Sequence, residues 1–248
     1  MKLKLESGKF IDTTKGIDIS IPLRAGIPNV NAWYVDPVTI EPVRTEHFTG
    51  SVAEGGSVNF RNIAFNPHGN GTHTECVGHI SKKVESINQH LKEFHFMAQL
   101  ISLKPEVNGE DKVITVNQVK SATKNFNSRA LILRTLPNAI SKRDFQYSNT
   151  NPPYLEKGVL AYLNSIGVDH FLIDLPSVDK EFDDGELQEH HAFWNYPSDQ
   201  IHFHKTITEL VYIPDEVEDG VYFMNLQIAP FENDASPSKP VLYQLFDA

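Results

Sequence analysis

The chain has 248 residues, of which 40% are hydrophobic and 22% are charged, and these values argue against a disordered or fibrous protein. Its formal net charge of −10 argues against nucleic acid or an anionic membrane surface as the main partner. Cys76 is the only cysteine, so no disulfide can form within the chain. We find no apolar stretch long enough to cross a membrane and no signal-peptide core near the start, and we therefore expect a cytoplasmic protein.

The predicted elements change character along the chain. Residues 17–23 and 57–65 alternate in period two and predict antiparallel strands. The middle third predicts helices followed by buried strands: helices at 86–97, 116–123 and 153–165, and strands at 99–103, 130–133 and 170–175. Residues 220–228 and 240–246 predict strands again. We find no repeat or long linker, so we predict one mixed α/β domain over residues 1–248.

Residues 68–79 concentrate side chains that bind divalent metals, namely His68, His73, Glu75 and His79. If the chain after Gly71 is extended, His73 and Glu75 face the same side, because residues two apart in a strand do so. A turn at Gly78 could return His79 to the same pocket as a further ligand or as a general acid or base. The alternative is an ordinary Asn-Gly hairpin turn with a chance cluster of histidines. We favour the metal site.

The run HGNGTHTECVGH resembles the His-x-Gly-Thr-His-x-Asp-x-Pro-x-His signature of the cyclase family, which includes bacterial kynurenine formamidase. The residues that match the signature directly are Gly71, Thr72, His73 and His79. Glu75, Val77 and Gly69 stand where the family has Asp, Pro and the first His, and His68 lies one residue early. A Glu reaches about 1.5 Å further than an Asp, so a bound ion would shift or the backbone would retreat. A bulge at Gly69 could return His68 to the ligands, and the alternative is that this chain lacks that ligand.

The resemblance extends to residues 17–20, 130–135 and 171–179, in the family's order. It implies a swivelling β/β/α fold and a dinuclear zinc site that a later His and Glu complete. The candidates are Glu209 and one of two adjacent histidines, of which we prefer His191 to His190 because Phe193 and Trp194 follow it. His202 and His204 are further candidate ligands, with a polar loop near the entrance as the alternative that we favour.

Other polar and aromatic residues receive weaker assignments. The resemblance implies that Trp33 and Tyr34 contact substrate, although an aromatic pair is more often part of a core. Asp174 and Asp179 follow a predicted strand, where aspartate commonly bonds to the backbone, so we expect structural roles. Ser177 lacks the Gly-x-Ser-x-Gly setting of a serine hydrolase.

Together the residues and the resemblance predict a metal-dependent hydrolase of a small-molecule amide, with an N-formyl aromatic amine such as N-formylkynurenine as first substrate. Metal-bound hydroxide would attack the carbonyl, and His79 would move the proton to the leaving nitrogen. One or two divalent ions, zinc first and manganese second, would be held by His68, His73, Glu75, His191 and Glu209. The resemblance also implies a homo-oligomer, a dimer or a tetramer. The alternatives are a relative that acts on a cyclic imide, lactam or lactone, and a metal-depleted protein that only binds a small molecule.

Overall fold

The computed structural model describes residues 1–247. Its strands are β1 Lys2–Lys4, β2 Phe10–Asp12, β3 Ile17–Asp18, β4 Thr39–Pro42, β5 Arg44–Thr45, β6 Phe48–Thr49, β7 Arg61–Ala64, β8 His73–Glu75, β9 His95–Leu103, β10 Glu106–Asn108, β11 Asp111–Ile114, β12 Ala130–Thr135, β13 Tyr154–Leu155, β14 His170–Ile173, β15 Thr206–Glu209, β16 Gly220–Ile228 and β17 Ala235–Gln244. Its α-helices are α1 Pro67–Asn70, α2 Ile87–His90, α3 Val116–Ala122, α4 Val159–Ser165 and α5 Gln188–Trp194. Over these residues, none of the helices has the length and apolar character that crossing a membrane requires.

Seven strands form a closed ring in the order β16, β9, β12, β14, β15, β8, β17, because β17 pairs back with β16. β3 lies beside β17 as an additional strand. The strands β9, β12, β14 and β15 are mutually parallel, and each passage between neighbours in this set contains a helix, as parallel pairing requires. The pairings that close the ring are antiparallel.

The two faces of the ring bury separate cores. One face contributes residues such as Leu131 and Phe171, which form a cluster with Leu163 and Trp194 from the helices. The opposite face contributes alternate residues that fill the inside of the ring, for example Phe96, Ala98, Leu100, Ile132, Leu172 and Met224. Period-two alternation along each strand therefore decides which core a side chain enters.

The mixed α/β class that the sequence predicts is confirmed. α3 occupies residues 116–122 almost as expected, and it begins at a capping box in which Thr115 and Gln118 exchange hydrogen bonds. The strands predicted from residues 99, 130, 170 and 220 are present as β9, β12, β14 and β16. The strand predicted at 240–246 is the second half of the longer β17.

Several predicted bounds are wrong. Within residues 86–97 only Ile87–His90 is helical, and the strand β9 already begins at His95. Phe96 and Ala98, two residues apart in this strand, both point to the inside of the ring. In 153–165 the helix begins only at Val159, after Gly158 adopts a left-handed φ of 99°. Within 17–23 the strand β3 covers two residues, and within 57–65 the strand β7 covers four exposed ones.

Candidate metal centre

The strands β8 and β15 bring three of the predicted ligands to one face. Their antiparallel register sets His73 opposite Glu209 and Thr74 opposite Thr208. His73 Nε2 lies 3.4 Å from Glu209 Oε2, and Glu75 follows on the same face two residues after His73. Thr74 points the other way, where its hydroxyl lies 2.8 Å from that of Thr208. His73 and Glu75 therefore lie on one face of β8 and Thr74 lies on the other, as the sequence predicts for an extended chain.

The helix α5 adds His190 to this face. The Asp179 carboxylate accepts hydrogen bonds from the backbone N–H groups of Glu189 and His190, at 2.9 and 3.2 Å, and so holds the start of the helix. The same carboxylate lies 2.6 Å from His190 Nδ1. His190 Nε2 is therefore directed to the carboxylates, 3.3 Å from Glu75 Oε1 and 3.8 Å from Glu209 Oε1. The structural role expected for Asp179 includes orienting this imidazole.

The helix α1 returns His68 to the centre. Asn66 caps this single turn by accepting a hydrogen bond from the His68 backbone N–H at 2.9 Å. His68 Nδ1 lies 3.2 Å from Glu75 Oε2. The backbone excursion is a helical turn and not the expected bulge at Gly69.

Gly69 explains why the histidine lies one residue early. A Cβ at Gly69 would lie 2.5 Å from Val35 Cγ2 and 2.7 Å from the Ala32 carbonyl oxygen. A side chain at residue 69 would force this segment to shift, which disfavours a histidine at the position where the family signature has it. The imidazole of His68, one residue earlier, reaches Glu75 instead.

Two further side chains complete the outer part of the centre. The 3-10 turn Val77–His79 places His79 Nδ1 3.8 Å from Glu75 Oε2. Asp234, which the sequence analysis missed, has its Oδ2 2.8 Å from His68 Nε2 and 3.5 Å from His79 Nδ1. Nothing in the sequence marks Asp234, because it lies far beyond the motif along the chain, in a loop that precedes β17.

The donor atoms form two groups that share Glu75. An outer group contains His68, Glu75 and His79, an inner group contains His73, Glu75 and Glu209, and in each group the donor atoms lie within 4.8 Å of one another. Within residues 1–247, His73 Nε2, His190 Nε2 and both Glu75 carboxylate oxygens are buried without a hydrogen-bond partner. Leaving such atoms unpaired costs several kcal/mol in general, roughly 1–3 for each group. Divalent cations bind these atom types, so the residues fit a metal.

The charges of the centre depend on one another. Burial would raise the pKa of the Glu75 carboxyl, but the charge of His79 and the neighbouring imidazoles hold that pKa well below its usual value. Burial would lower the pKa of His68, yet the carboxylates of Asp234 and Glu75 raise it to about 10. Burial would likewise lower the pKa of His190, but the carboxylates of Asp179 and Glu75 raise it well above its usual value. A metal ion would replace protons there, so metal binding releases protons.

The structure places His191, which the sequence favours over His190, outside both ligand groups. Its Nδ1 lies 2.6 Å from the Tyr196 carbonyl oxygen and its ring stacks on Tyr196, away from Glu75. Adjacent residues of a helix diverge by about 100°, so only one of the pair can face the strands. His202 bonds to the Phe193 carbonyl oxygen, and His204, which is 60% exposed, contacts Asp169. Neither belongs to the two ligand groups.

A cavity of about 370 Å³ opens onto the centre. Its lining includes His68, His79 and His190 together with the apolar side chains of Trp33 and Leu187. Trp33 and Tyr34 both have left-handed backbones, with φ of 59° and 58°. This turn directs Trp33 into the cavity. Tyr34 is 56% exposed, does not line the cavity, and bonds through its hydroxyl to Glu181 at 3.0 Å.

The family model described as putative cyclase matches residues 17–180. The chain belongs to the cyclase family. A kynurenine formamidase of one Bacillus cereus strain is 28% identical over 243 residues, which cover 93% of this chain and 98% of the relative. The corresponding kynurenine formamidase of Bacillus cereus strain ATCC 10987 is 26% identical over the same share of both chains.

Solved structures share the fold at lower sequence identity. A predicted metal-dependent hydrolase from Bacillus stearothermophilus has a TM-score of 0.63 and 16% identity, over 92% of this chain and 98% of that chain. Isatin hydrolase A from Labrenzia aggregata has a TM-score of 0.67 and 12% identity, over 92% and 93%. The similarity to these solved structures confirms the fold that the family resemblance implies.

Proposed function

We propose that the protein is a metal-dependent hydrolase of a small-molecule amide, with an N-formyl aromatic amine such as N-formylkynurenine as the first substrate to test. Its enzyme class, an amidohydrolase of the cyclase family, follows from its family and its curated relatives. The observation that carries the proposal is the set of unpaired, buried donor atoms on Glu75, His73 and His190 beside an open cavity. Such atoms are costly to keep unless a ligand uses them.

An inner cation would be held by His73, His190 and Glu209, and an outer cation would be held by His68. Glu75 would belong to both sets of ligands. Zinc is the ion that we expect first, because nitrogen and carboxylate donors in this number suit it, and one or two ions fit the two groups. When bound, such an ion polarises a carbonyl and lowers the pKa of a coordinated water to about 7.

The remaining steps belong to side chains of this chain. His79 lines the cavity and its side chain is 28% exposed, so it can take a proton from water and deliver it to the leaving nitrogen. Trp33 and Leu187 supply an apolar wall against which an aromatic amine can pack. The centre thus has a place for the acyl group at the donors and a place for the aryl group along the wall.

The first experiment measures divalent metals in protein purified without chelator and then turnover of a substrate panel with zinc or manganese added. We expect one or two ions per chain and hydrolysis of N-formyl aromatic amines. Turnover of cyclic imides, lactams or lactones without formamidase activity would keep the enzyme class and reject the substrate. Protein that refuses both metals would favour the small-molecule binding protein.

We also propose a homo-oligomer, a dimer or a tetramer. Large apolar side chains are exposed along residues 48–63, from β6 to β7: Phe48, Val52, Val58, Phe60 and Ile63. Exposed apolar patches of this kind commonly mark protein interfaces. Light scattering on the purified protein tests the assembly, and a monomer at micromolar concentration would reject it. The cytoplasmic location expected from the sequence stays a prediction.

A further inference from the structure

His73 of the inner group and the neighbouring His190 are each fixed through one ring nitrogen. His73 Nδ1 lies 3.0 Å from the Gly71 carbonyl oxygen, and His190 Nδ1 lies 2.6 Å from Asp179 Oδ2. A metal-bound imidazole ordinarily donates its other N–H to such an acceptor, which fixes the tautomer and the ring orientation. Both rings are therefore prepared to bind a cation through Nε2.

His68 has the opposite arrangement. Its Nε2 lies 2.8 Å from Asp234 Oδ2, whereas its Nδ1 lies 3.2 Å from Glu75 Oε2. The ring is thus fixed through the distal nitrogen and offers the proximal one. Nδ1 is the ring nitrogen nearer to the backbone, so it suits a histidine that reaches the centre from the tight turn of α1.

We propose that Asp234 is a positioning residue that holds His68 as an Nδ1 ligand of the outer cation. This inference rests on the metal-dependent function proposed above. Asp234 accepts the His68 Nε2–H, keeps the lone pair on Nδ1 and aims it at the cation that Glu75 shares. His73 and His190 bind through Nε2, so the two groups use different tautomers of histidine.

The backbone around Asp234 places its carboxylate beside His68. Ala235, the first residue of β17, pairs with Glu75, and the Asp234 carbonyl oxygen accepts a hydrogen bond from the Cys76 N–H at 3.0 Å. A Cβ at Gly78 would lie 3.0 Å from Asp234 Cβ and 2.2 Å from the Glu85 carbonyl oxygen. Glycine at residue 78 therefore permits the close approach that brings Asp234 to the histidines.

Asp169 offers a matched control. Its side chain is 20% exposed, against 25% for Asp234, and its Oδ1 lies 3.2 Å from His204 Nε2, outside both ligand groups. Asp169 also pairs with Arg129 at 3.0 Å, so its substitution removes a histidine contact and an ion pair from an aspartate of similar exposure. Of the two aspartates, only Asp234 contacts the proposed metal centre.

The experiment measures zinc affinity by competition with a chelator for wild type, Asp234→Ala, Asp234→Asn, Asp169→Ala and His68→Ala. We expect Asp234→Ala to weaken the outer zinc by about 10- to 100-fold, the usual effect of removing the hydrogen-bond partner of a ligand. Asp234→Asn should recover most of that affinity, because its amide oxygen still accepts the Nε2–H. Asp169→Ala should bind zinc as wild type does, and His68→Ala should lose the outer ion.

Nitrogen-15 NMR of the zinc-loaded protein provides a signature that a merely structural role would not produce. The His68 ring, assigned by its absence in His68→Ala, should carry its proton on Nε2 and show the shift of a metal-bound Nδ1. A zinc-bound Nε2, or unchanged affinity in Asp234→Ala, would overturn the inference. Equal losses in Asp234→Ala and Asp234→Asn would make Asp234 itself a ligand and would also overturn it. Wild type that binds no zinc would instead reject the proposed function.

Discussion

The two faces of the strands β8 and β15 carry polar residues of opposite character. On the face inside the ring, Thr74 and Thr208 are buried but satisfy each other through their hydroxyl groups. On the outer face, His73 and Glu75 are equally buried, yet donor atoms on both remain unpaired. The residue type and the burial of a polar side chain therefore do not by themselves show whether it belongs to a functional site. Single unpaired atoms also occur elsewhere, for example His170 Nε2, but around Glu75 several metal-binding atoms remain unpaired close together, and this clustering marks the candidate site.

Two buried histidines differ in the direction in which their pKa values are shifted. His170 lies inside the ring, where Nδ1 bonds to Thr206 and burial lowers the pKa of the imidazole to about 3. His190 lies on the outer face, where burial opposes protonation but Asp179 and Glu75 raise its pKa well above the usual value. Carboxylate neighbours decide the difference, because both rings are almost fully buried.

The largest effect that we expect comes from Glu75, the residue shared by both groups. Glu75→Gln should reduce turnover by more than about 100-fold, beyond the range for a residue that only supports a ligand, and it should lower metal content. Thr74→Val, one residue away on the opposite face, should retain its metal. Kinetics and elemental analysis of both variants test this. Similar metal loss in the two variants would show that the two faces of β8 do not differ in metal binding.

The second largest effect that we expect is a difference in metal content between variants of the adjacent residues His190 and His191. His190→Ala should lose metal and activity, because it removes an imidazole that lies 3.3 Å from Glu75. His191→Ala should keep its full metal content and lose only the bond to the Tyr196 carbonyl, worth about 1 kcal/mol. Elemental analysis with thermal melts separates them. Metal loss in His191→Ala alone would restore the preference derived from the sequence.

His170 predicts how stability depends on pH. Its pKa is about 3 in the folded protein against 6.5 as the ordinary value, so the unfolded chain binds the extra proton between these values and acid destabilises the fold. At pH 5 this group should cost about 2 kcal/mol relative to neutral pH. His170→Asn, which cannot titrate, should show a shallower decline in unfolding free energy between pH 7 and pH 5. Parallel declines in the two proteins would show that His170 does not titrate as a buried group.

The last expected effect concerns the hydrogen-bonded pair of Thr74 and Thr208. Thr208→Val leaves the Thr74 hydroxyl buried without its partner and should cost about 1–3 kcal/mol, whereas the double substitution of both threonines to valine should be close to neutral. Urea unfolding of the single and double variants measures the coupling. Additive losses would mean that the two hydroxyl groups do not depend on each other.

Local rules predicted a substantial part of the fold and of the site. Period-two spacing placed His73 and Glu75 on one face, and the helix predicted at 116–123 corresponds to α3. The same rules misplaced the start of β9, since Leu91 and Phe94 fit helical spacing although the chain there is entering the ring. Short apolar runs satisfy both periods, so only pairing with neighbouring strands settles such a segment.

The sequence by itself determined the family, the α/β class and the concentration of ligand types in residues 68–79, because these depend on residues that are near one another in the chain. Only the tertiary structure decided that His190 and not His191 faces the strands, that α1 returns His68 to the centre, and that Asp234 stands beside it. The closure of the ring through β17 and the docking of α5 join residues that are distant in the chain. Spacing along the chain carries no information about such contacts, because they are fixed by strand register and helix packing.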